Sequence, residues 1–321
     1  MQAILCHKYG PPDVLQLQEV EKPTPGEGQV LVKVHAASVN TADLTFTGPL
    51  APIFEGLRKP KDPRLGRGIA GRVEAIGEAV TQFRPGDEVF GACAGSFAEY
   101  ALAREKYLAL KPSNVSFEQA ACVPVAAITA LQALRDKGQV QPGQRVLVYG
   151  ASGGVGTFTV QIAKALGAEV TAVTSPQNLD QARTIGADLV IDYTREDFTR
   201  SGQRYDLILG VNGYHPILDY RRALSPKGIY VMVGVSKEHI ISAFSQVALL
   251  GPLLSRSDGQ KLGFMGIAKF NHEDLLVLSE LLEAKKITPV IEKRYPLSET
   301  AEALRYLATG HARAKVVITV G

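Results

Sequence analysis

The pattern of apolar and polar positions changes its period near residue 116. Before that point apolar residues fall in short alternating or clustered runs at Val30–Val34, Gly71–Ile76 and Glu88–Phe90. Pro-Thr-Pro-Gly-Glu-Gly and Arg84-Pro-Gly-Asp87 separate them, which predicts strands joined by turns. Ser116 with Gln119 then makes a capping-box signature, and a different grammar begins. Strands are predicted at 146–149, 169–174, 188–193, 205–211 and 228–234, with helices between the first four and around 215–224. Such alternation predicts a parallel sheet with helices on both faces. Later, Glu273–Lys285 and Glu299–Thr309 have helical spacing, with Asn271 and Ser298 as caps and Gly310 just beyond the second. Lys315–Val320 reads as a final strand.

Residues 146–156, Val-Leu-Val-Tyr-Gly-Ala-Ser-Gly-Gly-Val-Gly, are the most informative stretch. A strand ends in a glycine-dense turn, and Val155, Phe158, Ile162, Ala163 and Leu166 continue at helical spacing to Gly167. In this context the turn cradles a dinucleotide, because glycines let the backbone approach a pyrophosphate that meets N–H groups at the helix start. The cradle comprises Gly150, Ala151, Ser152, Gly153, Gly154, Val155 and Gly156, with Ala151 where the first glycine of G-x-G-x-x-G would stand.

Composition narrows the class. The chain has 321 residues, net charge +3 and a pI near 8.6, room for two domains and no block of basic residues, so nucleic acid is not an expected partner. Cys6, Cys93 and Cys122 are far apart and form no C-x-x-C pair, which fits a reducing, cytoplasmic location. The N-terminus lacks a hydrophobic signal core, and the most apolar stretch, Ala120–Leu134, is too short to span a bilayer.

Several stretches together resemble the medium-chain dehydrogenase/reductase superfamily, in its zinc-free quinone oxidoreductase branch. They are Val32–Asp43 (VKVHAASVNTAD), Ala70–Gly77, Phe83–Val89, Gly95–Tyr100, Thr129–Leu134, the glycine turn and Lys315–Ile318. The resemblance implies an α/β fold: a Rossmann doubly wound parallel sheet over residues 122–266, and a GroES-like β-rich catalytic domain over 1–121 to which 267–321 returns. Alcohol dehydrogenases of the superfamily use a catalytic zinc with three protein ligands. Here Asn40, Gly66-Arg67-Gly68 and Val125 occupy the corresponding places, so no metal ligand set is expected. Arg67-Gly68 departs even from the zinc-free branch, where an Asp often follows the Arg.

The cofactor expected is NADPH. The second Rossmann strand ends in Thr174-Ser175 with no acid to accept from a ribose 2′-OH, whereas a hydroxyl can donate to a 2′-phosphate. Ser175 before Pro176 also reads as a plain helix N-cap, and both roles can coexist. The resemblance adds Tyr193 as a phosphate or ribose contact. It also places Asn40 and Thr129 on the nicotinamide side of the active site, as the candidate catalytic and cofactor-contacting residues. Backbone groups of Gly210–Gly213, Val211 among them, of Gly234 and of Phe264-Met265 approach the nicotinamide. Asn40 also reads as a turn former and Thr129 as a helix-buried threonine bonding its own backbone. Phe46 stands where some relatives carry a Tyr, which leaves Tyr214 or Lys315 as proton-donor candidates; Lys315 is also a cofactor candidate, or simply a charge on an edge strand. His35 reads as a structural residue in a strand, and the loop Gly48–Asp62 as a substrate cover or a surface excursion.

Without a metal, only acceptors that are already activated suit such a site, which points to quinones and α,β-unsaturated carbonyls. A simple ketone or aldehyde reductase and a non-catalytic NADPH-binding protein are the alternatives. The strand near 261–266 is expected to be an edge that can pair in a homodimer.

Overall fold

The computed structural model describes residues 1–47, 60, 62–255, 259–310 and 312–321. Apart from Pro60 and Asp62, the expected cover loop lies outside them, and nothing is described of the Phe46 side chain. The chain divides into two compact units. One comprises Met1–Ile128, Lys269–Lys285 and Pro289–Gly321; the other comprises Thr129–Ala268 and Lys286–Thr288.

In the second unit the described residues form a six-stranded parallel sheet. Its spatial order is Leu189–Asp192, Glu169–Thr174, Arg145–Tyr149, Tyr205–Gly210, Leu224–Met232, Lys261–Phe264. Numbered along the chain this is 3-2-1-4-5-6, the doubly wound order, whose switch point lies between Arg145–Tyr149 and Tyr205–Gly210. Val146, Leu147, Val148, Leu207, Ile208 and Leu209 are all fully buried. Continuous apolar runs are what a parallel strand covered on both faces requires. Helices Gly154–Ala165, Leu179–Thr184 and Ile217–Ala223 follow three of the strands as expected. The helix expected between 193 and 205 is absent. Asp192 Oδ1 takes the Thr194 N–H at 2.9 Å and Asp197 Oδ1 takes the Thr199 N–H at 2.9 Å, so two side-chain-closed turns replace it.

In the first unit the described residues form a seven-stranded sheet in the order Ile291–Pro296, Lys315–Thr319, Gln29–Val39, Gly68–Ile76, Glu88–Ala92, Leu108–Leu110, with Tyr100–Arg104 also paired to Gln29–Val39. All pairs are antiparallel except the first. Its core gathers Val30, Val32, Val34, Ile69, Phe97, Leu108, Val316 and Ile318. The expected capping box is present: Ser116 Oγ accepts from Gln119 N, and the Gln119 side chain accepts from Ser116 N. Asn271 caps His272–Glu283 through Asp274 N, and Gly310 follows Thr300–Ala308 at φ +77°. Ser298 is not a cap. It sits inside a 3-10 turn, Leu297–Glu299, and Thr300 Oγ1 donates to Leu297 O instead.

Lys315 requires the largest correction. Its strand lies between Ile291–Pro296 and Gln29–Val39, and the residue is 3% exposed. The edge-charge reading fails, because both sides of this strand are paired and the side chain is buried.

Candidate functional site

Two constellations stand out, one in each unit. In the second, the turn after Arg145–Tyr149 accounts for the imperfect glycine motif. Gly150, one residue ahead of the motif's first position, carries the left-handed backbone at φ +90°, so Ala151 needs no special conformation. Gly150 N and Ala151 N both donate to Val173 O, at 3.1 and 3.2 Å, pinning the turn to the second strand. At Gly156 a Cβ would lie 2.1 Å from Gly150 O, so only glycine lets the helix start this close to the turn. Gly153 N-caps the helix without a side-chain bond, and Gly154 and Val155 open its first turn. Its N-terminal N–H groups are the ones an anion would meet.

Asn178, which with Gln177 stands where many members of the family carry a Lys early in the helix, ties the turn to the end of the second strand. Its Nδ2 donates to Ser175 Oγ at 2.9 Å and to Ser152 Oγ at 3.2 Å. Ser175 occupies the N-cap position ahead of Pro176, yet its hydroxyl makes no cap bond and takes the Asn178 amide instead. Thr174 Oγ1 and Asn178 Oδ1 are buried without a hydrogen-bond partner. Such orphans are rare, and a ligand carrying polar oxygens would satisfy them. Tyr193 is 52% exposed, and its N–H is held by Thr174 O at 3.3 Å. These residues fit a nucleotide: a glycine cradle, a free helix start and hydroxyls with no carboxylate at 174–178.

Val211 N donates to Tyr149 O at 2.8 Å and Gly234 N to Gly210 O at 3.0 Å, so what these two can offer a ligand is a carbonyl oxygen. They lie together, since a Cβ on Gly234 would come within 2.5 Å of Val211 O. Thr129 is half-buried in the helix Val123–Gln132. The Tyr214 hydroxyl accepts from Gln246 Nε2 at 2.6 Å, lies 2.9 Å from Ser242 Oγ, and its ring stacks on His239. That network holds the hydroxyl in place against Gln246 and Ser242.

In the first unit, Asn40 follows the strand Gln29–Val39 and is 8% exposed. Its amide is oriented from both ends. Lys315 Nζ donates to Oδ1 at 2.6 Å and to Val39 O at 3.3 Å, while Nδ2 donates to Ser38 O at 2.9 Å. Because an ammonium has no acceptor, Lys315 fixes which end of the amide is the oxygen. Asp43, 1% exposed, accepts the Asn40 N–H at 2.8 Å. Burial pushes its carboxyl up to about 6, against the Asn40 and Gly66 N–H groups and the charges of Lys315 and Arg67. Burial likewise holds the Lys315 ammonium below the usual lysine value, against the pull of Cys122 and Asp43. Gly68 completes the wall, since a Cβ there would stand 2.5 Å from Ser38 Oγ. Asp43 was missed as a site residue; the available signal was its Asn-x-x-Asp spacing from Asn40. His35 stacks on Phe117 at 4.4 Å, a packing role. Among the described residues no group of three or more His, Cys, Asp or Glu is arranged to hold a metal ion.

Family models match two parts of the chain: an "alcohol dehydrogenase GroES-like domain" over residues 26–113 and a "zinc-binding dehydrogenase" over 185–318. The chain is 33% identical to an Arabidopsis thaliana protein named NADPH-dependent alkenal/one oxidoreductase, chloroplastic, over 99% of this chain and 79% of that protein. It is 35% identical to the 2-methylene-furan-3-one reductase of Solanum lycopersicum, with the same coverage. A quinone oxidoreductase structure from Coxiella burnetii superposes with a TM-score of 0.86 at 31% identity, covering 100% of this chain and 99% of that one. The chloroplastic name of the first relative lends no support to a cytoplasmic location. Among the described residues no helix is long and apolar enough to cross a membrane.

Proposed function

The chain belongs to the medium-chain dehydrogenase/reductase superfamily, in its quinone oxidoreductase branch, and from that premise we propose that it is an NADPH-dependent reductase of enones or quinones. The observation that carries the reading is the junction of the glycine turn with the second strand. Asn178 links Ser152 to Ser175 there, and two buried oxygens, Thr174 Oγ1 and Asn178 Oδ1, have no protein partner. A hydroxyl-lined, acid-free end suits a ribose 2′-phosphate, and the relatives named for NADPH point the same way. When bound, the nicotinamide supplies a hydride, and a proton from solvent completes the two-electron reduction.

What the chain's own residues contribute is orientation and charge stabilisation. Lys315 holds the Asn40 oxygen, and Nδ2 donates to Ser38 O at 2.9 Å and, at a longer 3.3 Å, to Ser38 Oγ, so a carbonyl oxygen developing negative charge would take the second amide N–H in place of the Ser38 hydroxyl. Asp43 anchors the Asn40 backbone, so the donor is preorganised rather than recruited. Asn40, Arg67 and Val125 stand where alcohol dehydrogenases of the superfamily carry zinc ligands, and none of them ligates zinc. The acceptor must therefore be electrophilic on its own.

The test is NADPH absorbance followed with a quinone and with short enones, alongside NADH as cofactor. Consumption with kcat/KM favouring NADPH is expected. Binding of NADPH with no consumption by any acceptor would defeat the enzymatic reading, and a preference for NADH would defeat the cofactor assignment. We also propose a second copy of the chain as a partner. The edge strand Lys261–Phe264 is paired on one side among the described residues, and the neighbouring helix Ile240–Leu254 exposes Ile241, Phe244, Leu249 and Leu253. Sedimentation equilibrium of the wild type and Phe244→Glu checks it; a monomeric wild type ends the idea.

A further inference from the structure

Arg67, which precedes the glycine that stands where an Asp often follows in the zinc-free branch, belongs to a second feature of the first unit. A cavity of about 310 Å³ there is lined by Arg64, Arg67 and Arg104 together with Cys93, Tyr107 and Phe270. Three arginines line it, and among the described residues no Asp or Glu does. Asp62 engages Arg64 through a two-point fork, at 2.9 and 2.7 Å, from outside the lining. Arg104 forms no ion pair with any described residue. Arg67 O accepts the Cys93 N–H at 2.9 Å, which fixes the backbone between the cavity and the strand that starts at Gly68. The Cys93 thiol is pushed up to about 12 by burial, so it adds no negative charge at neutral pH.

The positive charge also bears on the Asn40 cluster. Arg67 helps to pull the Asp43 carboxyl down, and Asp43 holds the Asn40 N–H. Arg67 is thus common to the cavity and to the surroundings of the donor amide. Guanidinium is the group that matches a carboxylate or phosphate by paired N–H donors, and three arginines lining one cavity, one of them in no ion pair with a described residue, favour an oxyanion over an apolar ligand. The volume is at the lower end for small-molecule pockets and suits a short ligand.

We propose that this cavity is an anion subsite that takes a carboxylate carried by the substrate, with Arg104 and Arg67 as its principal donors. The assignment to substrate rests on the enone-reductase reading; the anion binding does not.

Two arms test it separately. In the first, the melting temperature of the full chain is followed with acetate and with inorganic phosphate at constant ionic strength, for wild type, Arg104→Gln and Arg104→Lys. Wild type should be stabilised by acetate, and its affinity should fall about tenfold in Arg104→Gln, with partial recovery in Arg104→Lys. A larger effect of phosphate than of acetate that persists in Arg104→Gln would place the ion elsewhere and overturn the subsite. In the second arm, NADPH consumption is measured with 4-oxopent-2-enoate and pent-3-en-2-one, which share one enone and differ in carboxylate against methyl. Their intrinsic reactivities cancel when the ratio of kcat/KM values is compared between proteins. That ratio should fall at least about tenfold in Arg104→Gln and shrink with added salt in the wild type. An unchanged ratio with both enones consumed removes the substrate assignment while leaving the reductase standing. Acetate binding lost in Arg104→Gln with neither enone consumed keeps the anion site and removes the reductase.

Discussion

Gly153 and Gly156 stand three residues apart in one turn, yet alanine should cost stability at only one of the two positions. At Gly156 an added Cβ would lie 2.1 Å from Gly150 O and 2.8 Å from Ala151 C, both backbone atoms. Neither can retreat without breaking the bonds from Gly150 N and Ala151 N to Val173 O. Overpacking of a filled site costs about 1–3 kcal/mol, and a backbone obstacle puts Gly156→Ala at the upper end. At Gly153 the nearest atom is Gly150 O at 3.7 Å, and φ −77°, ψ 176° is a conformation alanine adopts freely. Alanine is a slightly poorer N-cap than glycine but narrows the unfolded ensemble, so stability should move by less than about 0.5 kcal/mol. Its methyl group nevertheless occupies the place where a motif of this kind brings backbone up to a pyrophosphate. Gly153→Ala should therefore fold normally and bind NADPH at least about tenfold more weakly, whereas Gly156→Ala should lose both stability and binding. Urea midpoints report the first quantity. NADPH's own fluorescence reports the second, since the chain has no tryptophan. Wild-type affinity in Gly153→Ala would place the phosphates away from this turn, and an unchanged midpoint in Gly156→Ala would refute the close-approach reasoning.

Three further outcomes follow from the geometry. Between pH 3.8, where an unfolded Asp43 loses its proton, and about 6, only the folded state keeps it, so stability should fall as pH rises across that window. The gap is worth about 3 kcal/mol, and urea midpoints for wild type and Asp43→Asn should differ in this slope; identical slopes would remove Asp43 as its source. Lys315→Met leaves Asn40 Oδ1 buried without its donor and removes one of the two cations, Lys315 and Arg67, that favour the Asp43 carboxylate, and should destabilise by about 3 kcal/mol at pH 8, where a midpoint equal to wild type would contradict the paired arrangement. Ser175→Asp sets a carboxylate at the end of the second strand and should lower the ratio of kcat/KM for NADPH over NADH by at least about tenfold; an unaltered ratio would take Ser175 out of cofactor selection.

Local chemistry made much of this chain readable. The strand, glycine turn and helix at 145–165 follow from an apolar run, residues free of Cβ restraint and 3.6-residue spacing, all within one short segment. The same holds for the Ser116–Gln119 capping box and for Asn271, whose partners are three residues away. Reading by segment failed where a competing bond is equally local but harder to see, as when Asp192 and Asp197 close turns in place of a helix. The motif is written in residue types, whereas the turn is made by the φ of Gly150, one position ahead of the motif's first glycine.

The strand, glycine turn and helix at 145–165 were thus determined by sequence alone, since each rests on contacts between near neighbours in the chain. Tertiary structure alone decided what Lys315 is. Its partner, Asn40, lies 275 residues away, and periodicity carries no record of which strands become neighbours in a sheet. A lysine in an apolar strand looks like an edge charge until strands on both sides bury it. Once buried, it can remain charged only against an oxygen such as that of Asn40 and a carboxylate such as Asp43, and these contacts hold Asn40 in place.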